Sequence, residues 1–351
     1  MTFPNTGPAE WPTAWLARRC ASCRVGPRVD RIELRQVGES GVSISPVGLG
    51  GVELGPFAGE KPDVSRAGAV IEAALASGIN WLDTSENYLH TRNESVIGAA
   101  LARIDGELVV STKVAPGAAI SGGGSGFRRD QVHAACRDSL RRLCCEQIDL
   151  YFLHWPDDTG VPLEETWGAM AELADEGLVR AIGLSNYSID DVERCHAQRR
   201  VDVIQDGLNL IAYLDNRQLF ARCGELGIAV TVYDSLSSAV LTDRTREEVF
   251  MAWEVFSANG WRHPLLAPDK VDRTYAVVEA LRPIAKRLGA TVAQVAIAWI
   301  LYQPGVTAAL AGTRSPDRVR ENARAADLDV TPTLEDIERL IPLGPAYDPV
   351  A

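Results

Sequence analysis

Asp83, Tyr88, Lys113 and His154 are the residues of this chain whose types and spacing best suit chemistry. Asp83 and Tyr88 follow a short apolar segment at 80–82, Lys113 closes the run 108–112, and His154 closes the run 148–153. Hydride delivery to a carbonyl carbon requires a proton for the oxygen. A tyrosine hydroxyl, with an ordinary pKa of about 10, still carries one at neutral pH. A nearby ammonium is expected to lower that pKa by favouring the phenolate, while a carboxylate holds the lysine in place. A neutral histidine can donate a hydrogen bond that orients the carbonyl. Tyr88, Lys113, Asp83 and His154 fit these roles in that order. Each alone has a plainer explanation, as a packed ring, a surface charge, a cap or a loop histidine bonded to backbone. A lysine ending an apolar run is harder to dismiss in a chain with four lysines. Their conjunction at three successive strand ends points to a carbonyl reductase.

Such groups need a scaffold that gathers strand ends on one face. Residues 32–45 alternate around Gly38 and Gly41, the pattern of a β-hairpin. Short apolar runs then alternate with helical patterns, as in repeated βα units. Eight strands are expected, near 46–50, 80–82, 108–112, 148–153, 179–184, 203–204, 229–233 and 306–311. Helices are expected at 64–76, 94–102, 129–143, 163–176 and 189–197, with Ser188, Thr291 and Ser315 as N-caps and Gly177 as a left-handed stop. Eight units predict a (β/α)₈ TIM barrel behind an N-terminal β-hairpin, whose chemistry sits at the C-terminal ends of the strands. Two stretches break the pattern. Residues 116–127 carry a glycine-rich run, and 241–273 form an insertion of mixed helix and loop character. Both follow strand ends, where lids and substrate loops arise.

The cofactor side is read in the same way. No G-x-G-x-x-G opens a helix after a strand and no P-loop motif is present, so a dinucleotide must be held by other means. Ser185, Asn186 and Gln205 offer partners for a carboxamide, and Tyr233 can stack on a flat ring. The segment from Gly312 through Arg314 to Arg318 runs from a strand into a helix, a natural seat for a phosphate. The plainer alternative pairs those arginines with Asp317 and Glu321 on a solvated face.

The chain has 351 residues, 46% of them hydrophobic, enough for a large α/β core. A net charge of −12 argues against general binding to nucleic acid or anionic membranes, and no apolar run reaches membrane-spanning length. Residues 1–30 lack a continuous apolar stretch and are expected to form a tail rather than a signal peptide, leaving 31–345 as one barrel domain. Seven cysteines, an odd number, suggest reduced thiols in the cytoplasm, and the isolated pair Cys20 and Cys23 is a weak metal signal, so no metal is expected.

Five ordered segments resemble the aldo-keto reductase family, in its bacterial and potassium-channel-β-subunit-like branch. They are residues 35–51, which end in Gly50 and Gly51, and 78–88 (Gly-Ile-Asn-Trp-Leu-Asp-Thr-Ser-Glu-Asn-Tyr). The others are 148–154, 177–186 and 312–322. The resemblance covers about 34–328 and implies a (β/α)₈ barrel with NADPH extended across its C-terminal face. By position it implies Tyr88 as general acid, Asp83 and Lys113 tuning it, and His154 orienting the carbonyl. Gly50, Gly51, Ser185, Asn186, Gln205 and Tyr233 would lie at the nicotinamide end. Ser235, Leu236 and Gly312 would lie along the diphosphate, and Arg314, Arg318, Glu321 and Asn322 at the adenosine end, the arginines favouring the 2′-phosphate. Val52 and Trp155 would line the pocket of a small carbonyl substrate. Many relatives carry Pro and Gly where this chain has Ser235 and Ala239, and a lysine where it has Leu178. Two other functions remain open: a cofactor-binding regulatory module with slow or no turnover, and a lyase using Lys113 as a Schiff-base amine. The oligomeric state is left open.

Overall fold

The structure, a computed structural model, describes residues 32–57, 59–117, 124–157, 159–257 and 264–344. The tail expected at 1–30, with Cys20 and Cys23, lies outside the described residues, as do 118–123 of the stretch 116–127 and 258–263 of the insertion.

Eight parallel strands close into a barrel. They are β3 (Val47–Gly50), β4 (Trp81–Asp83), β5 (Val109–Val114), β6 (Ile148–Leu153), β7 (Val179–Ser185), β8 (Val203–Gly207), β9 (Ala229–Tyr233) and β10 (Val306–Gly312). They pair in chain order and β10 returns to β3. The helices α1 (Val64–Ala76), α2 (Arg92–Leu101), α3 (Arg129–Leu143), α4 (Leu163–Asp175), α5 (Ile189–Gln198) and α6 (Asn216–Glu225) follow successive strands, and α7 (Arg246–Ser257), α8 (Val271–Arg287), α9 (Val292–Leu301) and α10 (Pro316–Ala323) complete the set the site needs. Side-chain caps explain several starts. Asp63 accepts from the Arg66 amide, Ser188 from Asp191, Thr291 from Gln294 and Ser315 from Arg318. Among the described residues no single helix is long and apolar enough to cross a membrane.

A strand shows alternate faces, so a barrel has two cores. Toward the helices lies the larger cluster, including Leu82, Tyr151, Leu153, Ile182, Val230, Trp167 and Trp299. Within the barrel, Trp81, Leu150, Phe152, Ala181, Val203, Ala229, Ala308 and Leu310 pack with Val37, Val42 and Ile44 of the hairpin β1 (Arg35–Gln36) and β2 (Ser43–Ile44). Gly48 makes room for this packing, since a Cβ there would lie 2.2 Å from the Trp81 ring. The hairpin is tied to the N-terminal strand ends. Asn80 Nδ2 donates to the Ser43 carbonyl at 3.0 Å and Arg35 to that of Thr307 at 3.0 Å. Burying its three aliphatic side chains contributes about 1.5–3 kcal/mol each. The hairpin therefore seals the floor and leaves the C-terminal face as the mouth.

The expected strands are all present, but several run one to three residues further than the apolar runs suggest. The extra rungs carry the interesting side chains. Gly50 pairs with Asp83, Lys113 with Phe152, Ser185 with Gln205 and Gly312 with Gly50. Backbone pairing is indifferent to side-chain polarity, so the ladders continue where the apolar signal stops. The insertion at 241–273 resolves into α7, a short turn at Pro264–Leu266 and the start of α8. Helix α6 escapes a periodicity reading because only Phe220 and Cys223 of its residues are buried.

Candidate active site

Three strand ends build the centre of the mouth. Asp83 is the last residue of β4, Lys113 the penultimate residue of β5, and His154 follows β6 directly. All three are buried. Lys113 Nζ donates to Asp83 Oδ2 at 2.6 Å and to the Thr84 carbonyl at 2.9 Å. The other Asp83 oxygen accepts from Ser111 Oγ at 2.6 Å and Gln205 Nε2 at 3.0 Å, and the Trp81 indole donates to Ser111 at 3.0 Å. Breaking this buried pair from one side would leave an uncompensated charge, at a cost of about 3–5 kcal/mol. Burial lowers the Lys113 pKa, and the Asp83 carboxylate works in the opposite sense.

Tyr88 hangs over this pair from the turn after β4. Lys113 Nζ lies 5.3 Å from its ring centroid, and its ring meets that of His154 edge-on at 5.6 Å. Burial raises the Tyr88 pKa well above its usual value, and the carboxylates of Asp83 and Glu53 push it the same way. This corrects the expectation that an ammonium would lower it. Burial and the two carboxylates outweigh the pull of the Lys113 ammonium, 5.3 Å from the ring. Tyr88 consequently holds its proton firmly. His154 is pushed well below its ordinary pKa, first by burial and then by the Lys113 cation, and is neutral at pH 7. Its ring stacks on Trp155 at 3.5 Å between centroids.

A second group of predicted residues clusters beside the first. Asn186 has a left-handed backbone, φ 66°, which aims its amide back into the mouth. Its Nδ2 donates to the His154 carbonyl at 3.0 Å and its Oδ1 accepts from the Tyr233 hydroxyl at 2.7 Å. Tyr233 is thereby fixed in orientation, and Ser185 Oγ lies next to it, 3.1 Å from Asn186 Nδ2. Gln205 also donates from Nε2 to Asp83 at 3.0 Å, bracing the carboxylate and leaving its Oε1 for another partner. Val52 begins a short turn after β3. Gly51 donates its amide to the Asp83 carbonyl at 2.8 Å, and a Cβ on Gly51 would lie 2.5 Å from that oxygen. Its place is thus explained by packing.

The eighth-strand end is more heavily committed than the sequence suggests. Arg314 donates to both oxygens of Glu60 at 2.7 and 2.8 Å and to the carbonyls of Glu53 and Gly55, with its guanidinium 4.3 Å from the Phe57 ring centroid. Arg318 pairs with Glu321 at 2.6 Å, while Asp317 is taken by Arg320. Asn322 is buried near the base of α10. After β9, Asp234, Ser237, Ser238 and Ala239 all have positive φ. This is an uncommon concentration for residues with side chains, of the kind found at binding sites. Leu236 packs on the core from the same loop.

Whether these residues suit a dinucleotide can be judged from atoms left without partners. Buried polar atoms normally have them. Ser235 Oγ, Ser237 Oγ and Glu321 Oε1 are buried and have none. Ser235 and Glu321 belong to the residues expected at a cofactor, and Ser237 lies two positions after Ser235 in the loop that follows β9. Backbone is closely apposed at Gly50 and Gly312, where a Cβ on Gly50 would lie 3.1 Å from Gly312, and the Glu53 carboxylate lies against Gly312, 2.2 Å from where its Cβ would be. The residues present therefore fit an extended polar ligand that brings both hydrogen-bond donors and acceptors. Among the described residues no group of three or more His, Cys, Asp or Glu is placed to hold a metal ion.

Sequence reasoning missed Ser111, Glu53, Glu60 and Ser85. Ser111 sat inside an apolar run as an unremarkable strand residue. The two glutamates lie in a loop whose partner is some 250 residues away, and Ser85 was hidden in the segment that carries Asp83 and Tyr88.

The model of the Aldo/keto reductase family matches residues 46–340. The aldo-keto reductase YhdN of Bacillus subtilis is 30% identical over 293 residues, 82% of this chain and 87% of that one. A probable voltage-gated potassium channel subunit beta of Oryza sativa is 29% identical over 313 residues, 86% of this chain and 93% of that one. The structure of the glycerol dehydrogenase AKR11B4 from Gluconobacter oxydans matches with a TM-score of 0.75 at 27% identity, over 92% of this chain and 99% of that one.

Proposed function

The chain belongs to the aldo/keto reductase family, and on that premise we propose that it reduces an aldehyde or ketone to an alcohol, using NADPH and Tyr88 as general acid. The observation that carries the reading is the arrangement of Tyr88 over the buried Lys113–Asp83 pair, edge-on to a neutral His154, at the C-terminal ends of the barrel strands. A bound nicotinamide dinucleotide would supply the hydride.

The chain's own residues do the rest. His154 donates a hydrogen bond to the carbonyl oxygen and fixes its direction, which lowers the barrier by placing a donor where negative charge develops. As that oxygen becomes an alkoxide, the Tyr88 O–H bond breaks and its proton passes to it. The phenolate left behind forms close to Lys113, whose ammonium is held in place by Asp83. Asp83 in turn is oriented by Ser111 and Gln205. Ser185, Asn186 and Tyr233 would hold the nicotinamide end, and Ser235, Gly312 and Glu321 the diphosphate and adenosine ends. Arg314 and Arg318 would favour the 2′-phosphate. Val52 and Trp155 would wall the substrate.

The experiment is a fluorescence titration with NADPH and NADH, followed by an aldehyde and ketone panel watched at the NADPH absorbance band. Tight NADPH binding with turnover is expected. Tight binding without turnover of any carbonyl would favour a regulatory binding module, and no binding would overturn the cofactor assignment.

A further inference from the structure

His154 has one proton to place. As a neutral imidazole it carries a single N–H, so one ring nitrogen donates and the other accepts. Its Nδ1 lies 2.9 Å from Ser85 Oγ. No other hydrogen bond to the ring is made among the described residues, and the ring's Tyr88 contact places it at the mouth. What Nε2 presents there, a donor or a lone pair, is therefore decided by the Ser85 hydroxyl.

That hydroxyl also has one proton and two main claimants. Nδ1 of His154 is one, and the side-chain amide of Asn87 is the other, its Oδ1 standing 2.7 Å from Ser85 Oγ as an acceptor before any half-turn of the amide; the Lys113 carbonyl at 3.4 Å is a distant third. The oxygen and nitrogen of an asparagine amide exchange places by a half-turn that leaves its shape unchanged. Asn87 can thus accept from Ser85 or donate to it. If it accepts, Ser85 must receive a proton from Nδ1, and Nε2 is left as a bare lone pair facing the lone pairs of any carbonyl oxygen. If it donates, the Ser85 proton goes to Nδ1 and Nε2 keeps its N–H. An imidazole nitrogen is a stronger base than an amide oxygen, which favours the second arrangement. All three residues of the chain Asn87–Ser85–His154 are buried, where such a network has a defined direction.

We propose that Ser85 is a positioning residue that donates its hydroxyl proton to Nδ1 of His154, accepts from Asn87, and so holds the imidazole in its Nε2–H form. It acts through His154 and does not itself touch the substrate. The consequence for turnover rests on the function proposed above; the protonation pattern does not. Five histidines make the direct measurement tractable. Long-range proton–nitrogen correlation on the full chain labelled with ¹⁵N-histidine separates the two forms, with His154→Gln identifying the signal. An unprotonated Nδ1 and protonated Nε2 are expected at pH 7. The reverse pattern in the unsubstituted protein overturns the proposal, whether or not any variant folds.

Ser85→Ala should then mix the two forms and reduce kcat, by no more than the roughly 10²–10³-fold of a donor lost outright at a developing oxyanion. NADPH affinity should hold within twofold, and Ser85→Thr should restore both rate and spectrum. An Ala variant with an unchanged His154 pattern also overturns the proposal. If the pattern shifts on Ser85→Ala while the rate does not, the Ser85 assignment stands and the carbonyl-orienting role of His154 falls.

Discussion

Glu60 grips Arg314 through both carboxylate oxygens, at 2.7 and 2.8 Å, across 254 positions of sequence. The arginine proposed for the 2′-phosphate of NADPH therefore already holds an anion, and that pairing draws the Glu60 pKa down to about 2. A phosphate at this place must displace Glu60 or share the guanidinium with it. Glu60→Gln should tighten NADPH by roughly two- to fivefold, the worth of a partly exposed ion pair, and leave NADH unchanged. Arg314→Ala with Arg318→Ala should weaken NADPH far more than NADH. Equal effects on both cofactors, measured by fluorescence titration, would remove the 2′-phosphate assignment.

Tyr88→Phe removes the one acidic proton above the Lys113–Asp83 pair. Carbonyl reduction should fall by about 10²–10⁴-fold, with NADPH affinity little changed. Retained turnover would take Tyr88 out of the acid role.

Lys113→Met tests the foundation of the site. Asp83 would stay buried with Ser111 and Gln205 but without its cation. Stability to urea should drop by about 3–5 kcal/mol, and Lys113→Met with Asp83→Leu should recover much of it. A single variant as stable as the parent would show that Asp83 does not need the charge.

The pH behaviour has a definite sign. Tyr88 is held protonated well above its usual pKa and His154 is held neutral well below its own. With NADPH saturating, kcat for reduction should be level from pH 6 to 9. A fall between pH 7 and 8 would contradict the raised tyrosine.

Cofactor affinity should behave differently, through Asp234. Burial raises this carboxyl to about 7, although it accepts from the Ser238 amide at 2.9 Å, and the neighbouring Glu53 adds to the rise. A group with a raised pKa is neutral below it and charged above it. Below pH 7 Asp234 should leave a diphosphate undisturbed; above pH 7 it should repel it. NADH, which lacks the titrating 2′-phosphate, should lose affinity several-fold from pH 6 to 8, and Asp234→Asn should flatten that slope.

Ala239 sits at φ 73°, where an L-residue is strained and glycine is not. Ala239→Gly should raise stability by about 0.5–1 kcal/mol after the added chain entropy is counted, read as a shift in urea midpoint.

Much of the molecule is readable from sequence because its signals are local. Helices α1 and α3 carry apolar residues at helical spacing along their whole length, and their bounds follow from it. Asp83, Lys113 and His154 stand out because each interrupts an apolar run. What stays hidden depends on closure. Gln205 offers a generic amide until the barrel brings β8 opposite β4, and only then does Asp83 become its partner. Nothing near Glu60 announces Arg314. The tyrosine's acidity was misjudged for a related reason. The sign of a pKa shift depends on burial and on how the neighbouring charges balance, and neither is written in residue spacing.

The hairpin floor has a consequence for traffic. With Val37, Val42 and Ile44 filling one end against Trp81 and Phe152, the described residues leave the C-terminal face as the way both in and out for whatever the site holds. Whatever sits deepest goes in first and comes out last, so arrivals and departures are queued. On the function proposed above, clearance of the top of that queue would limit throughput, and the loop after β9, with its run of positive φ, is where that rate could be tuned.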